Sequence, residues 1–334
     1  MIEDVFMTSV IVKTFAPVII PTLCRYQHFV ECLESLAHCT WANKTDVFIG
    51  LDYPANDSHR DGYNKIKIYL QKNKKNLNFK SLNIIERKFN YGLGKHGNLN
   101  ELKKEVLTKY DRIIVSEDDN IFSPNFLVYM NKGLEIFQND TSVLAINGYR
   151  HPYPLKYNNN TFIRENVDFS AWGYGIWKNR DEKAESLSIN FFRKKFSLIN
   201  FFKIYLDNGG NRALNFYDYA FRWNGLMSDS PLSIYAKLEK MDVIMPAAIS
   251  LVRNMGWDNS GEHYLSNSNL QSIHSNQKIS EKNDFIFNGT GFEYYTENRK
   301  IFKNYSYAKI PNKVFWRRCL KIIAKYFFLK FRLF

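Results

Sequence analysis

The chain has 334 residues, of which 45% are apolar and 24% are charged, values typical of a globular protein and not of a disordered or fibrous one. Its formal charge is +13, but eleven positive charges fall within residues 298–334, which contain no acidic residue. The preceding residues therefore carry a net charge of only +2. A nucleic-acid binder normally carries its basic residues on the folded domain, so this distribution argues against that class.

Neither a signal peptide nor a membrane span is predicted. The N-terminal region has acidic residues where a signal peptide has basic ones, and no stretch approaches about 20 uninterrupted apolar residues. The four cysteines show no zinc-ligand spacing. These features favour a cytoplasmic protein.

Apolar runs alternate with segments of helical periodicity in the first third of the chain. The strands are expected at Ala16–Pro21, Asp46–Leu51, Ser81–Glu86 and Asp111–Ser116, and the helices at Gln27–Cys39, Asp57–Gln71 and Asn98–Leu107. This alternation predicts an α/β fold with a mostly parallel sheet flanked by helices. Ligands bind beyond the carboxyl ends of the strands in such sheets.

Candidate polar residues follow three of these strands. They are Thr22 to Arg25, Asp52, and the acidic run Glu117-Asp118-Asp119. Carboxylates at the end of an apolar strand suit a hard divalent ion, although an exposed loop that caps the next helix would have the same pattern. The loop Gly92–Asn98, preceded by Asn90, contains glycines and Lys95 and could approach an anion, but it is not a Walker A loop.

The second half supplies aromatic segments and a single carboxylate among them. Trp172 and Gly173 lie in Phe169–Arg180, where aromatic faces could bind sugar rings or fill a core. Asp218 is the only carboxylate of an expected helix at Asn211–Met227. It could serve as a base or simply pair with Arg222. His263 ends a glycine-rich segment that begins with an apolar run at Ile249.

Taken in order, seven segments over residues 16–265 resemble the family-2-like bacterial glycosyltransferases of the GT-A fold, in the branch related to N-acetylglucosaminyltransferase I. The segments are PVIIPTLCRY, the Leu51-Asp52 strand end, NYGLG, SEDDNIFSPNF, AWGYGIW, FYDYAFRWNG and SLVRNMGWDNSGEHY.

The resemblance implies roles for individual residues. Asp119, with His263, would ligate Mn²⁺ or Mg²⁺, and Asp218 would be the catalytic base of an inverting transfer. The residues implied to bind the nucleotide-sugar donor are Thr22, Arg25, Asp52, Asn90, Gly94, Lys95, Glu117, Asp118, Trp172 and Gly173. Glu117 replaces the first aspartate of the family's Asp-x-Asp motif, and Asp181 and Glu182 compete with Asp218 for the role of base.

The implied function is hexosyl or N-acetylhexosaminyl transfer from a nucleoside-diphosphate sugar, expected to be a UDP-sugar, to a glycan or lipid-linked acceptor in bacterial surface polysaccharide synthesis. The alternatives are a sugar nucleotidyltransferase, whose glycine-rich opening loop is absent, and a non-catalytic membrane-binding or carbohydrate-binding protein. The expected organisation is a nucleotide-sugar-binding half at 1–120, an acceptor-binding and catalytic half at 121–297, and a basic tail at 298–334.

The tail is expected to form an amphipathic helix on the inner face of the cytoplasmic membrane. Lys313, Arg317, Lys321 and Lys325 recur every four residues, and the other side is apolar, with Phe315, Ile322, Tyr326, Leu329 and Leu333. Such a helix suits an anionic membrane surface. The absence of acidic residues and the number of aromatic ones argue against docking on the domain.

Overall fold

The computed structural model describes residues 11–94, 96–152, 162–165, 169–208, 210–222, 229–247, 249–258, 260, 274–280 and 312–331. The strands, in chain order, are β1 (Val18–Thr22), β2 (Asp46–Leu51), β3 (Ser81–Glu86), β4 (Arg112–Val115), β5 (Asn120–Phe122), β6 (Val143–Asn147), β7 (Phe162–Glu165), β8 (Tyr174–Trp177), β9 (Asp242–Pro246) and β10 (Val252–Asn254). The helices are α1 (Tyr26–Ala37), α2 (Arg60–Asn73), α3 (Asn98–Leu107), α4 (Phe126–Ile136), α5 (Lys178–Glu185), α6 (Ile189–Lys195), α7 (Leu198–Asn208), α8 (Gly210–Phe221), α9 (Asp229–Glu239) and α10 (Asn312–Phe331).

Eight strands form one sheet in the order β3-β2-β1-β4-β8-β6-β9-β7. Strands β3, β2, β1 and β4 are mutually parallel, β8 runs antiparallel to β4 and β6, and β7 runs antiparallel to β9. A second, two-stranded sheet pairs β10 with β5. The predicted fold class, a mostly parallel α/β sheet flanked by helices, is confirmed.

The sheet separates two apolar cores because successive side chains of a strand point to opposite faces. In β1, Val18 and Ile20 contribute to one core and Ile19 to the other. Helices α1, α2 and α4 cover the first face, and α3 and α6–α9 contribute to the second. The apolar stripe predicted for α1 is buried at Phe29, Cys32, Leu33 and Leu36.

The C-terminal helix α10 docks on the second core, contrary to the expectation that its apolar side is free for a membrane. Phe315 is fully buried and stacks on Tyr205 of α7 with ring centroids 4.4 Å apart. Ile322 is also buried, and the ring centroids of Tyr326 and Phe196 lie 6.0 Å apart. The physical reason is that α6–α8 already present an aromatic surface, and burying one apolar face against another removes both from water.

The basic side of α10 is exposed as predicted, at Lys313, Arg317, Lys321 and Lys325. The side chain of Leu329, and Leu333 as a whole, lie outside the described part of the chain. None of the described helices has both the length and the hydropathy of a membrane span.

Candidate functional site

The carboxyl ends of β1 and β4 bring predicted site residues into direct contact. The Thr22 hydroxyl, at the end of β1, donates a hydrogen bond of 2.8 Å to Asp118 Oδ2, which follows β4. The backbone N–H of Asp52, after β2, donates to the Thr22 carbonyl at 2.8 Å. Because the three strands are parallel and adjacent, their ends meet at one edge of the sheet.

Arg25 binds both aspartates that follow β4. Its Nη2 donates to Asp118 Oδ1, and its Nη1 lies 2.7 Å from Asp119 Oδ2. Both carboxylates are buried. Two ionised carboxylates against one guanidinium leave an excess of one negative charge in a region of low dielectric, where charges interact strongly.

Burial and neighbouring charges shift the proton affinities of this group. Burial raises the pKa of Asp119 above its ordinary value; Arg25 opposes this effect and the charge of Asp118 adds to it. Burial alone would lower the pKa of Arg25, but the two carboxylates outweigh it and hold the pKa above its ordinary value. Arg25 therefore stays charged at any physiological pH.

The strand β10 supplies contacts to Asp119 that the sequence did not reveal. Asn254 Nδ2 donates to Asp119 Oδ1 at 2.7 Å, and Met255 N–H donates to the Asp119 carbonyl at 2.8 Å. A Cβ atom at Gly256 would lie 2.1 Å from Asp119 Oδ2, so any other residue there would displace this carboxylate. The sequence signals were the glycine-containing stretch after an apolar run and its place in the family-like segment SLVRNMGWDNSGEHY. Together, Thr22, Arg25, Asp118, Asp119 and Asn254 form the strand-end cluster.

Asp52 holds the loop between β3 and α3. Its buried carboxylate accepts hydrogen bonds of 2.9 Å from the N–H groups of Tyr91 and Gly92, and Asn90 Nδ2 lies 3.4 Å away. Gly92 and Gly94 both have positive φ, at 58° and 98°, which favours glycine. The predicted residues Asn90 and Gly94 thus lie in one loop, which Asp52 holds beside the sheet edge. Lys95 lies outside the described residues.

Glu117 is linked to the surrounding elements through its backbone. Its carbonyl accepts hydrogen bonds from Cys32 Sγ at 3.5 Å and from the Ser116 hydroxyl at 2.8 Å. Within the described part of the chain, no group of three or more His, Cys, Asp or Glu side chains could hold a metal ion. His263, the second predicted ligand, lies outside that part.

The strand-end cluster fits a hard divalent cation in the chemistry of its donors. Asp118 and Asp119 offer carboxylate oxygens, which Mg²⁺ and Mn²⁺ prefer, and the cluster has an excess of negative charge. Arg25 already contacts one oxygen of each carboxylate. A cation at Asp119 would therefore share this carboxylate with the guanidinium or displace it.

An aromatic cluster lies beside the strand-end cluster, at the same edge. It consists of Tyr149, Trp172, Trp257 and His274, with Trp172 only partly buried. The Trp172 ring packs edge-on against Tyr149 at 4.7 Å and against Trp257 at 5.8 Å. Trp257 follows Gly256, which touches Asp119, and Trp172 precedes β8 at the end paired with Val115 of β4. The predicted residues Trp172 and Gly173 thus lie at the site edge, and Gly173 has a φ of 73°.

His274 is the buried anchor of the aromatic cluster. Its Nδ1 lies 2.7 Å from the Tyr149 hydroxyl, and its ring stacks on Trp257 with centroids 4.7 Å apart. Burial lowers the pKa of His274 to about 3, and the nearby His151 contributes in the same direction. His274 is therefore neutral at neutral pH.

The three candidates for the base have different surroundings. Asp218 lies on α8, has a side chain 45% exposed, and is 3.6 Å from Arg222 one turn later. Asp181 lies in a buried ion pair with Lys103 at 2.5 Å. Because β8 runs antiparallel to β4, α5 begins beside Arg112, at the edge opposite the strand-end cluster. This places Asp181 and the exposed Glu182 away from the site. Helix α8 packs mainly against α6, α7 and α9, and its first residue, Gly210, lies against Phe315 of α10.

Comparison with known proteins gives only distant structural likenesses. No protein-family model matches the chain, and no curated protein matches it. The mannosyltransferase PcManGT from Pyrobaculum calidifontis, solved in complex with GDP-Man and Mn²⁺, is 13% identical, with a TM-score of 0.34; the match covers 51% of this chain and 46% of that one.

S. aureus TarS is similar in two solved structures. One of them, of TarS 1-349, is 15% identical with a TM-score of 0.35, over 51% of this chain and 50% of that one. The other is 17% identical with a TM-score of 0.30, over 43% of this chain and 23% of that one. The chain thus matches about half or less of the length of these proteins.

Proposed function

We propose that the protein is a metal-dependent, inverting glycosyltransferase that moves a sugar from a nucleoside-diphosphate sugar to a hydroxyl group of a glycan or a lipid-linked oligosaccharide. The observation that supports this best is the strand-end cluster. Two buried carboxylates share one arginine at the carboxyl edge of a parallel sheet, beside a partly exposed tryptophan. The order of the seven family-like segments in the sequence supports the same class.

The cluster's own residues have complementary tasks in this proposal. Arg25, with Thr22 and Asp52, would line the nucleoside pocket, and Asp119 with His263 would hold the metal ion. A bound Mn²⁺ or Mg²⁺ stabilises the charge that develops on the leaving nucleoside diphosphate. Thr22 and Asn254 hold the two carboxylates in place through hydrogen bonds of 2.8 and 2.7 Å.

The acceptor hydroxyl must lose a proton while it attacks the anomeric carbon, and we assign this step to Asp218. Its carboxylate is accessible to solvent, and its contact with Arg222, at 3.6 Å, is loose enough to be exchanged for a substrate. Asp181 is a poorer candidate because its buried ion pair with Lys103 would have to be broken first.

The finer identity of the substrates follows the family resemblance. We propose a UDP-sugar donor, a hexosyl or N-acetylhexosaminyl group, and an acceptor of bacterial surface polysaccharide synthesis. The nucleotide-sugar pocket would include the Asp52 loop, with Asn90, Gly94 and Lys95. The protein would act on the inner face of the cytoplasmic membrane, where lipid-linked acceptors are accessible.

A donor screen tests the proposal. The purified protein is incubated with UDP- and GDP-sugars in Mn²⁺ or in EDTA, and released nucleotide is measured. We expect release with Mn²⁺ and none with EDTA. Asp119→Asn should lower the rate about 100-fold or more, the usual cost of removing such an electrostatic group. The matched control is Asp61→Asn, an exposed carboxylate on α2.

Other outcomes of the screen would contradict the proposal. Equal nucleotide release in EDTA, or by Asp119→Asn, would exclude the assigned metal site. Consumption of a nucleoside triphosphate with release of pyrophosphate would indicate a nucleotidyltransferase. Binding of sugars without any turnover would indicate a non-catalytic protein.

A further inference from the structure

The docked helix α10 presents an outward side that is itself amphipathic. With its inward residues fixed against the domain, two further sectors face solvent. One is apolar and contains Trp316, 47% exposed, and Leu320, 68% exposed. The other is basic and contains Lys313, Arg317, Lys321 and Lys325. We call these two exposed sectors the outward face of α10.

The spacing of these residues separates the two sectors around the helix. The basic residues recur every four positions from Lys313 to Lys325, and Trp316 and Leu320 are also four apart, so each set follows one stripe of the helix. Phe327 extends the apolar stripe toward the end of the helix and is 46% exposed. The inward stripe, at Phe315, Cys319 and Ile322, is buried against the domain.

Helix α7 continues the apolar stripe on the body of the protein. The centroid of the Trp316 ring lies 6.0 Å from that of Tyr205 and 6.5 Å from that of Phe202, both on α7. One turn beyond Phe202, Leu206 is 58% exposed, and Ile199 is exposed as well. The apolar surface is therefore shared by two packed helices and is held in a fixed orientation by the core beneath it.

Among the described residues of α10 and α7, the exposed charged side chains are all positive. Helix α10 contains six Lys and Arg residues and no acidic residue. On α7, Lys203 is exposed, whereas Asp207 is nearly buried and pairs with Lys237 of α9. A partner that fits must offer negative charge over a broad surface and an apolar layer beneath it.

We propose that the outward face of α10, together with the exposed side of α7, is a docking surface for an anionic lipid membrane. Trp316, Leu320 and Leu206 enter the boundary between headgroups and acyl chains, and Arg317 and Lys321 contact anionic headgroups. Because α10 is part of the core, lipid binding holds the whole domain in one orientation instead of tethering it loosely.

Two other partners fit less well. A second copy of this chain would bring two basic stripes together, which like charges oppose. A nucleic acid would match the charge but would leave Trp316, Leu320 and Leu206 without an apolar partner, since such interfaces are strongly polar.

Vesicle co-sedimentation of the full chain tests the surface. We expect binding to vesicles of phosphatidylcholine with phosphatidylglycerol, little binding to phosphatidylcholine alone, and release by salt. The variant Arg317→Glu/Lys321→Glu should bind at least about thirtyfold more weakly, given the usual attraction of each basic residue to such a surface. Trp316→Ser/Leu320→Ser should also weaken binding while the charge is unchanged.

The control variant is Lys75→Glu/Lys109→Glu, which makes the same change of charge at exposed lysines on other parts of the domain. It should keep most of the binding. Equal loss in this control, or equal binding to neutral vesicles, would overturn the proposal. Self-association of the wild-type protein that Trp316→Ser/Leu320→Ser abolishes would indicate a second copy as the partner instead. If the wild-type protein bound single-stranded RNA and both outward-face variants kept their lipid affinity, the partner would instead be a nucleic acid.

The inference rests on the proposed peripheral location but not on the transfer reaction. Lipid binding is measured without donor or acceptor, and nucleotide release is measured without lipid. Failure of the docking surface would therefore leave the glycosyltransferase proposal standing, and the reverse also holds.

Discussion

At the scale of single residues, Arg25 explains how two aspartates can be buried side by side. Each carboxylate contacts the guanidinium, and each also accepts a hydrogen bond from a neutral group, Thr22 or Asn254. Unpaired buried charges are costly, and these contacts offset part of the cost of burying the two carboxylates at the sheet edge. The sequence predicted Thr22, Arg25, Asp118 and Asp119 as site residues, but not the contacts that join the Thr22–Arg25 segment to the two aspartates, because these segments lie far apart in the chain.

The assignment of the base yields a prediction that compares two aspartates. Asp218→Asn should abolish glycosyl transfer, with a fall of at least about 100-fold in kcat, because the amide cannot accept the acceptor's proton. Donor binding, measured by titration calorimetry, should stay within about twofold of the wild type. Stability should be unchanged, since an exposed i,i+4 pair is worth only about 0.5 kcal/mol.

Asp181→Asn is the matched control, and we expect it to lower stability while leaving turnover unchanged. It removes one partner of a buried ion pair and leaves Lys103 with Glu185 alone, so it should destabilise the protein by about 3 kcal/mol. The variant should nevertheless turn over normally below its unfolding temperature. Normal turnover by Asp218→Asn, with loss of turnover by folded Asp181→Asn, would reverse the two assignments.

His274 yields a prediction for the pH dependence of stability. Its pKa is about 3 in the folded protein, below its ordinary value of 6.5, so the unfolded chain binds an extra proton between these pH values. The contribution of His274 to stability is therefore complete above pH 6.5 and decreases as the pH falls toward 3. The slope reaches at most about 1.4 kcal/mol per pH unit.

The measurement is urea unfolding between pH 7 and pH 4, compared with His274→Asn. Asparagine can still hydrogen-bond the Tyr149 hydroxyl but does not titrate, so the variant should lose stability less steeply toward acid. The control variant is His38→Asn, which changes an exposed histidine at the end of α1. Parallel curves for wild type and His274→Asn would show that His274 accepts a proton in the folded state as readily as in the unfolded one.

At the scale of elements, the antiparallel strand β8 decides which part of the aromatic segment reaches the site. The segment enters the sheet at the carboxyl edge, with Trp172 and Gly173, and leaves it at the opposite edge, where α5 begins. A parallel strand would have reversed this order and placed Asp181 beside Asp119. Sequence patterns give the existence of such a strand but not its direction, because direction depends on which neighbours it pairs with.

Helix α10 gives a prediction at the same scale. Phe315→Ala should destabilise the whole domain by about 3–5 kcal/mol, since the ring is buried against α7 and truncation leaves a cavity. Phe327→Ala, on the outward side of the same helix, should change stability by about 0.5 kcal/mol or less. Both values come from urea unfolding followed by circular dichroism. Equal, small effects would mean that α10 does not dock on the domain in solution.

At the scale of the whole molecule, one eight-stranded sheet runs through the expected nucleotide-sugar-binding half and the expected acceptor half. Strand β4, before residue 120, pairs with β8, after it. The strand-end cluster also combines residues from both sides of this boundary, because Asn254 binds Asp119. The division at residue 120 stays a prediction about function, and the fold itself is continuous across it.

The uneven charge of the chain acquires a structural meaning at this scale. The basic C-terminal segment forms a helix whose inward side completes the core and whose outward side keeps the charge in solvent. The charge and the aromatic content of this segment suggested an independent tail. In the structure, its inward aromatic residues stabilise the core and its basic residues stay in contact with solvent. The separation is possible because a helix presents different residues to different directions around its axis.

The sequence by itself determined the α/β class and the positions of the early elements. Strands at Asp46–Leu51 and Ser81–Glu86 and the helix at Asn98–Leu107 agree with their predicted bounds, since periodicity and burial are local properties. It also located the polar residues at the strand ends. Only the tertiary structure decided that Asn254 and Gly256 close around Asp119, that Asp181 lies at the far edge, and that α10 docks on the core. These outcomes depend on strand pairing and on which apolar surfaces meet, and both involve residues far apart in the chain.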